Sequence, residues 1–133
     1  MSPVKSKKPT GKKPYFSSVA VVVSDRKKAR EWYTTTLGLD LIDDEEHWVT
    51  VGRRGRPGVL HLCQTTEYDP KGTLEPGNSG ILLRLPGKDF AASCAELKSR
   101  GVPFNQEPRK DPWGWWASIR DPDGNEHVVM PEP

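Results

Sequence analysis

The sequence has no apolar run near the roughly 20 residues that a membrane-spanning helix needs. Its first residues are basic and polar, so it also lacks the apolar segment of a secretion signal. Its two cysteines, Cys63 and Cys94, lie far apart and form no CxxC pair, which predicts reduced, half-buried thiols rather than a disulfide. These absences predict a cytoplasmic protein that has no membrane partner.

Basic residues are scarce in the part of the chain that is predicted to fold. Residues 1–14 carry five lysines and no acid, and the rest of the chain has 15 basic against 18 acidic residues. We interpret residues 1–14 as a disordered basic tail, because this composition does not bury apolar surface. A nucleic-acid-binding arm is the alternative, but no basic stripe follows the tail, and no nucleic-acid partner is expected.

Residues 15–67 predict one β-α-β-β-β module. The β-branched run "VAVVV" is typical of a strand, and Asp25 is a suitable N-cap for the helix "RKKAREWYTTTL". Gly38 follows the helix at the position where a left-handed residue ends many helices. The segments "LDLID", "HWVTVG" and "GVLHLCQ" then predict three short strands.

The same order recurs after a predicted linker loop at residues 68–79. In residues 80–133, "GILLRLP" predicts a strand, Asp89 caps the helix "FAASCAELKSR", and "VPFNQEP", "WGWWASIR" and "EHVVM" predict three more strands. The prolines of "VPFNQEP" predict a short or edge strand. One module is too small to bury a stable core, so we predict an α+β fold of two βαβββ repeats that form an incomplete barrel with a central cleft.

Two stretches of the sequence carry a resemblance to a known family. "VAVVVSDRKKAREWYTTTLGLDL" resembles the opening strand and helix of the vicinal oxygen chelate superfamily, and "DPWGWW…DPDGNEHVV" resembles its closing hairpin. This superfamily includes glyoxalase I, bleomycin-resistance proteins and extradiol dioxygenases, and the matching features span Ser18–Pro131. The resemblance implies a homodimer, with modules that pair within one chain or between two.

The best-known members of that superfamily bind a divalent metal through four strand positions. The resemblance places these positions at Ser18, His61, Gly80 and Val128. Of the four, His61 has a side chain that binds metals, whereas catalytic metal sites generally use about three protein ligands. We therefore expect no metal and no other cofactor.

An enzymatic function is the alternative, and it requires other side chains to replace the missing metal ligands. His47, Glu126 and His127 are suitable by type, but strand side chains alternate between faces. If Val128 faces the cleft, Glu126 does too and His127 faces away, which leaves His61 and Glu126 as two ligands at best. The alternative is a lyase, isomerase or dioxygenase that uses Zn, Ni, Mn or Fe, and His61 is its catalytic candidate as a metal ligand or a base.

Tryptophans are concentrated near the closing hairpin. Trp115 and Trp116 are neighbours in one strand and must face opposite sides, so one or two of the tryptophans are expected to be core. The others would form a stacking wall for a planar ligand, and an arginine could pair with a carboxylate. The ligand-binding residues that we expect are Trp48, His61, Arg84, Trp113, Trp115, Trp116 and Glu126.

The resemblance to metal-free, bleomycin-resistance-like members suggests a function that needs no chemistry. Such proteins hold a drug in a cleft that two chains share. We therefore predict a homodimeric protein that binds a small, aromatic ligand without a metal, with antibiotic sequestration as one role. A protein-interaction module with exposed tryptophans is the third hypothesis.

Overall fold

The computed structural model describes residues 18–46, 48–64, 75–77 and 79–133. The predicted tail at residues 1–14, most of the predicted linker at residues 68–79, and His47 lie outside the described residues. The described part confirms two repeated modules with the predicted order of elements.

The N-terminal module contains β1 to β4 and helix α1, which continues into a π-helical turn. Its elements are β1 (Val19–Val23), α1 (Arg26–Glu31), the π-helical turn (Trp32–Thr36), β2 (Asp40–Glu45), β3 (Trp48–Gly52) and β4 (Val59–Gln64). The C-terminal module repeats this order with β5 (Leu82–Leu85), α2 (Phe90–Ser99), β6 (Phe104–Asp111), β7 (Gly114–Arg120) and β8 (Glu126–Pro131). Within the described ranges, no helix is long and apolar enough to cross a membrane.

Each module folds into one four-stranded mixed sheet. The strand orders are β1-β4-β3-β2 and β5-β8-β7-β6, so the two sheets have the same topology. The first strand of each module runs parallel to the last, whereas the other pairs are antiparallel. This arrangement confirms the predicted α+β class and the repeat, and the two described sheets do not close into a barrel.

The first helix differs from the single α-helix that the sequence predicts. Asp25 caps it as expected, since its carboxylate accepts a hydrogen bond from the Lys28 N–H at 3.1 Å. The ladder then widens, and the Leu37 N–H donates to the Trp32 carbonyl five residues back. Three successive threonines occupy this turn, and β-branched side chains pack poorly against a regular helical turn. Gly38, at φ 94°, ends the helix as predicted.

Strand β6 lies at the edge of its sheet, as its prolines predict, but it is not short. It has eight residues, and its pairing with β7 shifts register twice between Phe104 and Arg109. Pro108 lies within the second irregularity, where a missing backbone donor is tolerated.

A single hydrophobic core joins both modules. It contains Val21, Leu62 and Tyr33 from the N-terminal module and Ile119 and Val129 from the C-terminal one, each fully buried. The helices cover one face of each sheet and leave the other face outside this core.

The two cysteines are more buried than the sequence predicts. Cys63 and Cys94 are both buried rather than half-buried, and no disulfide joins them, as expected. Burial raises the pKa of the Cys94 thiol to about 11, because the thiolate would lose its hydration. Cys94 is therefore a core residue.

Candidate functional site

Alternation along β3 and β4 places Trp48, Thr50 and His61 together on one face of the first sheet. Val51 and Leu62, their neighbours in sequence, point the other way and are fully buried in the core. Thr50 and His61 are direct partners in the antiparallel ladder, which fixes their side chains on the same face. This face, which we call the Trp48 face, is turned away from the core.

The rings of Trp48 and His61 stack on the Trp48 face. Their centroids are 3.9 Å apart and their planes are inclined at 34°. His61 is 5% exposed, whereas Trp48 remains 38% exposed and offers its indole to solvent. Burial, together with the positive charge of Arg26, lowers the pKa of His61, so the imidazole is neutral at neutral pH. The result is an uncharged aromatic platform with one side still accessible.

A hydrogen bond beside this platform fixes the neighbouring strand. The Thr50 hydroxyl donates to the Asp43 carboxylate at 2.6 Å, across the β2–β3 ladder. Thr50 is buried, so its hydroxyl would otherwise lose a partner that it has in water. The bond holds the strand that carries Trp48 in register.

The second sheet carries Glu126 on the face of β7 and β8 that points away from the core. Its carboxylate accepts hydrogen bonds from the Ser118 hydroxyl at 2.6 Å and the Asn105 amide at 2.7 Å. These two donors lower the pKa of Glu126, because they favour the charged form. Glu126 is thus a carboxylate that is already partnered by its own sheet.

Trp116 lies on the same face as Ser118, because the two residues are separated by one position along β7. Its indole N–H donates to the Asp111 carboxylate at 2.6 Å, and the Arg109 guanidinium lies 5.9 Å from the ring centroid. The Arg109 bond and the indole donor lower the pKa of Asp111. Trp116 is therefore anchored in one orientation within the C-terminal module.

The other predicted ligand-binding residues lie elsewhere. Trp113 occupies the tight turn between β6 and β7 and is 67% exposed, and Trp115 faces the side of β7 opposite Trp116. Arg84 lies on the edge strand β5, where its guanidinium donates to the Pro131 carbonyl at 2.9 Å. The seven predicted residues are thus distributed over both sheets, and the stacked rings are those of Trp48 and His61.

The four positions at which the superfamily holds a metal do not fit a divalent ion. His61 provides an imidazole, whereas Ser18, Gly80 and Val128 provide no good metal donor. At position 80 a Cβ atom would lie 2.6 Å from the Glu126 carbonyl oxygen, so a ligating side chain would require a backbone shift. No group of three His, Cys, Asp or Glu side chains converges anywhere in the described ranges.

The structure also contains a buried polar network that the sequence did not reveal. The Tyr33 hydroxyl of the N-terminal module donates to the Asp121 carboxylate at 2.7 Å and lies 2.7 Å from His127 Nε2. His127 Nδ1 accepts from the Ile81 N–H, so Nε2 carries the proton and donates to the Tyr33 oxygen. We call Tyr33, Asp121, Asn125 and His127 the inter-module network.

Asn125 is the centre of the inter-module network. Its amide nitrogen donates to the Val22 carbonyl and to the Asp121 carboxylate, and its amide oxygen accepts from the backbone N–H groups of Gly77 and Ser79. Asn125 has no exposed surface. The "DPDGN" segment, which the sequence predicts as a turn, therefore also ties the closing hairpin to β1 of the other module.

Ionisation within the network follows from its burial. Burial raises the pKa of the Tyr33 hydroxyl, and the charge of Asp121 adds to the effect. Burial also lowers the pKa of His127, although Asp121 opposes this shift. Tyrosine and histidine both stay neutral at neutral pH. Because both side chains are fully buried and their polar atoms are hydrogen-bonded within the protein, we interpret the network as structural. The sequence contained two signals for this network, namely a tyrosine in the first helical segment and the Asp–Asn turn of "DPDGN". They could not be connected from the sequence, because Tyr33 lies 88 residues from Asp121 and 94 from His127.

The fold of this chain is therefore that of a paired-module α+β protein. Its two βαβββ modules share one core, and one face of each sheet is left uncovered. The chain belongs to the Glyoxalase/Bleomycin resistance protein/Dioxygenase superfamily, whose family model matches residues 15–129. This match confirms the superfamily that the opening and closing motifs indicate.

Several known proteins resemble the chain over most of its length. TnmS3, an antibiotic binding protein from Streptomyces sp. CB03234, is 32% identical, with 93% of this chain and all of that chain covered and a TM-score of 0.77. A superfamily member from Sphaerobacter thermophilus DSM 20745 is 29% identical, with 90% and 98% covered and a TM-score of 0.73. The uncharacterized protein YetH of Bacillus subtilis (strain 168) is 29% identical over 115 residues, which is 83% of this chain and 92% of YetH.

Proposed function

We propose that the Trp48 face binds a small, planar aromatic molecule and that binding requires no metal. The observation that carries this proposal is the Trp48–His61 stack, in which a buried, neutral imidazole supports an indole that is still 38% exposed. A third ring placed on this platform would gain about 0.5–1.5 kcal/mol beyond the burial of its area.

The similarity to TnmS3 supports an antibiotic as the ligand. TnmS3 is described as an antibiotic binding protein, and 32% identity over the whole of its chain is enough for the two to share the fold in detail. Sequestration needs affinity alone, so it tolerates residues such as Ser18, Gly80 and Val128 at positions where catalytic relatives hold a metal. We therefore propose antibiotic sequestration as the role of the chain.

A second copy of the chain would complete the site. The Trp48 face and the face of β7 and β8 that carries Trp116 and Glu126 both point away from the core. We propose a homodimer in which these two faces enclose the ligand, so that Glu126 brings a carboxylate close to cationic groups of a drug. The buried cysteines without a disulfide agree with the cytoplasmic location that we predict.

Two measurements on the purified protein test the proposal. The first is a thermal-shift screen, with and without EDTA, against bleomycin and doxorubicin, which represent a cationic glycopeptide and a planar polycyclic antibiotic. We expect a rise in the unfolding midpoint that EDTA does not change. The second is elemental analysis, which should find no stoichiometric Zn, Ni, Mn or Fe.

His61→Ala separates binding from metal-dependent catalysis. We expect it to weaken ligand binding, because it removes the support beneath Trp48, and to change no metal content. Stoichiometric metal that is lost in His61→Ala, together with a turnover that EDTA abolishes, would overturn the proposal in favour of an enzyme. A monomer with no ligand-induced shift would favour the protein-interaction hypothesis.

A further inference from the structure

A second concave site lies between the two modules, on the side of the sheets that the helices cover. It is a groove of about 770 Å³ that is lined by the edge strand β5, by parts of β3 and β4, and by Val19 of β1. Val51, Leu60, Leu83 and Leu97 line it, and all four belong to the core or pack against it. Since Val51 and Leu60 point away from the Trp48 face, the groove is a different site from the one proposed above.

The mouth of the groove exposes large apolar side chains. Val19 on β1 is 52% exposed and Leu82 on β5 is 53% exposed, and both line the groove. Isolated exposed aliphatic residues are ordinary, but these two lie beside a concavity whose floor is already apolar. The groove therefore offers an apolar body a continuous surface from its floor to its mouth.

The rim of the groove is cationic. Four arginines reach it from three separate segments, namely the β3–β4 loop, strand β5 and the C-terminal end of α2, and the acidic residues on the rim number two. These residues are Arg53, Arg56, Arg84 and Arg100 against Asp40 and Glu132.

Existing contacts use part of this positive charge, and Arg100 lies 3.8 Å from the Glu96 carboxylate one helical turn back. The carboxylate of Asp40 is already engaged by the Arg54 N–H at 2.8 Å, and Glu132 reaches Arg56 at 3.7 Å. Arg84 uses Nη1 on the Pro131 carbonyl, but a guanidinium has five N–H donors, so others can still bind a ligand.

We propose that this groove binds an amphipathic organic carboxylate, with its apolar body on the floor and its carboxylate at the arginine rim. The volume lies within the range of about 300–1,000 Å³ that is usual for small-molecule sites. Guanidinium groups match carboxylate geometry through paired hydrogen bonds, which favours an anion over a neutral or cationic ligand of the same shape. The chain then has two ligand sites of different chemistry, on opposite faces of the first sheet.

Decanoate, with decanol as its uncharged counterpart, tests this proposal by isothermal titration calorimetry. We expect saturable binding of one decanoate per chain, weaker binding at higher salt, and no comparable binding of decanol. Val19→Asp and Val19→Lys place opposite charges at the same exposed position of the groove mouth. Val19 is suitable because its ladder partner, Leu60, lines the groove and points away from the Trp48 face. We expect Val19→Asp to weaken decanoate binding about tenfold or more and Val19→Lys to preserve it. Arg30→Ala, which removes an arginine remote from the groove, should leave the affinity unchanged.

Several results would overturn the proposal. One is the absence of saturable decanoate binding up to about 1 mM. The others are equal effects of Val19→Asp and Val19→Lys, or loss of decanoate binding in Trp48→Ala with none in Val19→Asp. A change of molecular mass in Val19→Asp by sedimentation would instead show the groove to be an interface between copies. Equal unfolding midpoints of the two Val19 variants control for folding. Because the antibiotic screen addresses the Trp48 face, either proposal can fail without the other.

Discussion

His61 and His127 are two histidines with almost equal burial and opposite surroundings. Each lies on the last strand of a module, neither exposes more than 5% of its surface, and burial lowers the pKa of both. His127 points into the core, where Tyr33 and Ile81 bond its two ring nitrogens. His61 points away from the core, onto the Trp48 face of the first sheet, and stacks against the partly exposed Trp48. The face of the strand, rather than burial, therefore separates a structural histidine from a candidate binding residue.

Asn125→Ala should produce the largest effect, because it breaks the inter-module network at its centre. The change removes four hydrogen bonds and leaves buried partners on Val22 and Asp121 without their donor. We expect the free energy of unfolding to fall by about 3 kcal/mol or more, as measured by urea denaturation. Asn105→Ala, which affects an exposed asparagine, is the matched control. A loss below about 1 kcal/mol would mean that the network does not hold the modules together.

Tyr33→Phe should have the next largest effect. It keeps the ring in the core but removes the hydroxyl that joins Asp121 to His127. We expect a loss of about 1–3 kcal/mol in urea denaturation, because a buried carboxylate loses a donor. Thr35→Ala removes an exposed hydroxyl from the same helical segment and should change little. Equal effects of the two variants would contradict the account.

The pH dependence of stability distinguishes the two histidines. Both folded pKa values lie below the value of about 6.5 for an unfolded histidine, so the unfolded chain binds more protons just below that pH. Stability is therefore full above about pH 6.5 and falls as the pH decreases towards the folded values, by up to about 1.4 kcal/mol per pH unit for each histidine.

His127→Gln should flatten this dependence more than His61→Gln does. Protonation of His127 would place a proton on Nδ1, which now accepts from the Ile81 N–H, so two donors would face each other in the core. His61 instead borders an accessible face. Urea denaturation at several values between pH 5 and 7 measures the slope. A slope that His61→Gln flattens more strongly would reverse the comparison.

Arg30→Ala should have the smallest effect, because it removes an exposed ion pair. Arg30 bonds both oxygens of Asp44 at 3.0 Å, but the two side chains are 39% and 40% exposed. We expect a change of about 0.5 kcal/mol or less in urea denaturation. A loss as large as that of Tyr33→Phe would show that surface charge, rather than the buried network, dominates the stability of this fold.

Local patterns were sufficient to predict most of the fold. The β-branched run at Val19–Val23, the caps Asp25 and Asp89, and the stop at Gly38 all depend on neighbours in sequence, and the structure confirms each. The π-helical turn was missed because it depends on how a turn is accommodated in three dimensions. For β6 the sequence left a short strand and an edge strand open, and the structure has an edge strand of eight residues.

The site was less predictable than the fold. Alternation along β8 correctly separates His127 from Val128, because it is a property of any strand. The bonds from Asn125 to Val22 and from Tyr33 to Asp121 span 103 and 88 residues, and no local pattern encodes them. The groove likewise exists only because residues from both modules line it.

The central claim is that the Trp48 face binds an aromatic ligand without a metal. Isothermal titration of doxorubicin in EDTA, with the wild-type chain, Trp48→Ala and Trp115→Ala, tests it most directly. Trp115 is a matched control, since it is 44% exposed but lies on the opposite side of its sheet from Trp116. The account predicts EDTA-resistant binding that Trp48→Ala weakens about tenfold or more and Trp115→Ala leaves unchanged. Binding that EDTA abolishes, or that Trp48→Ala leaves intact, would contradict it.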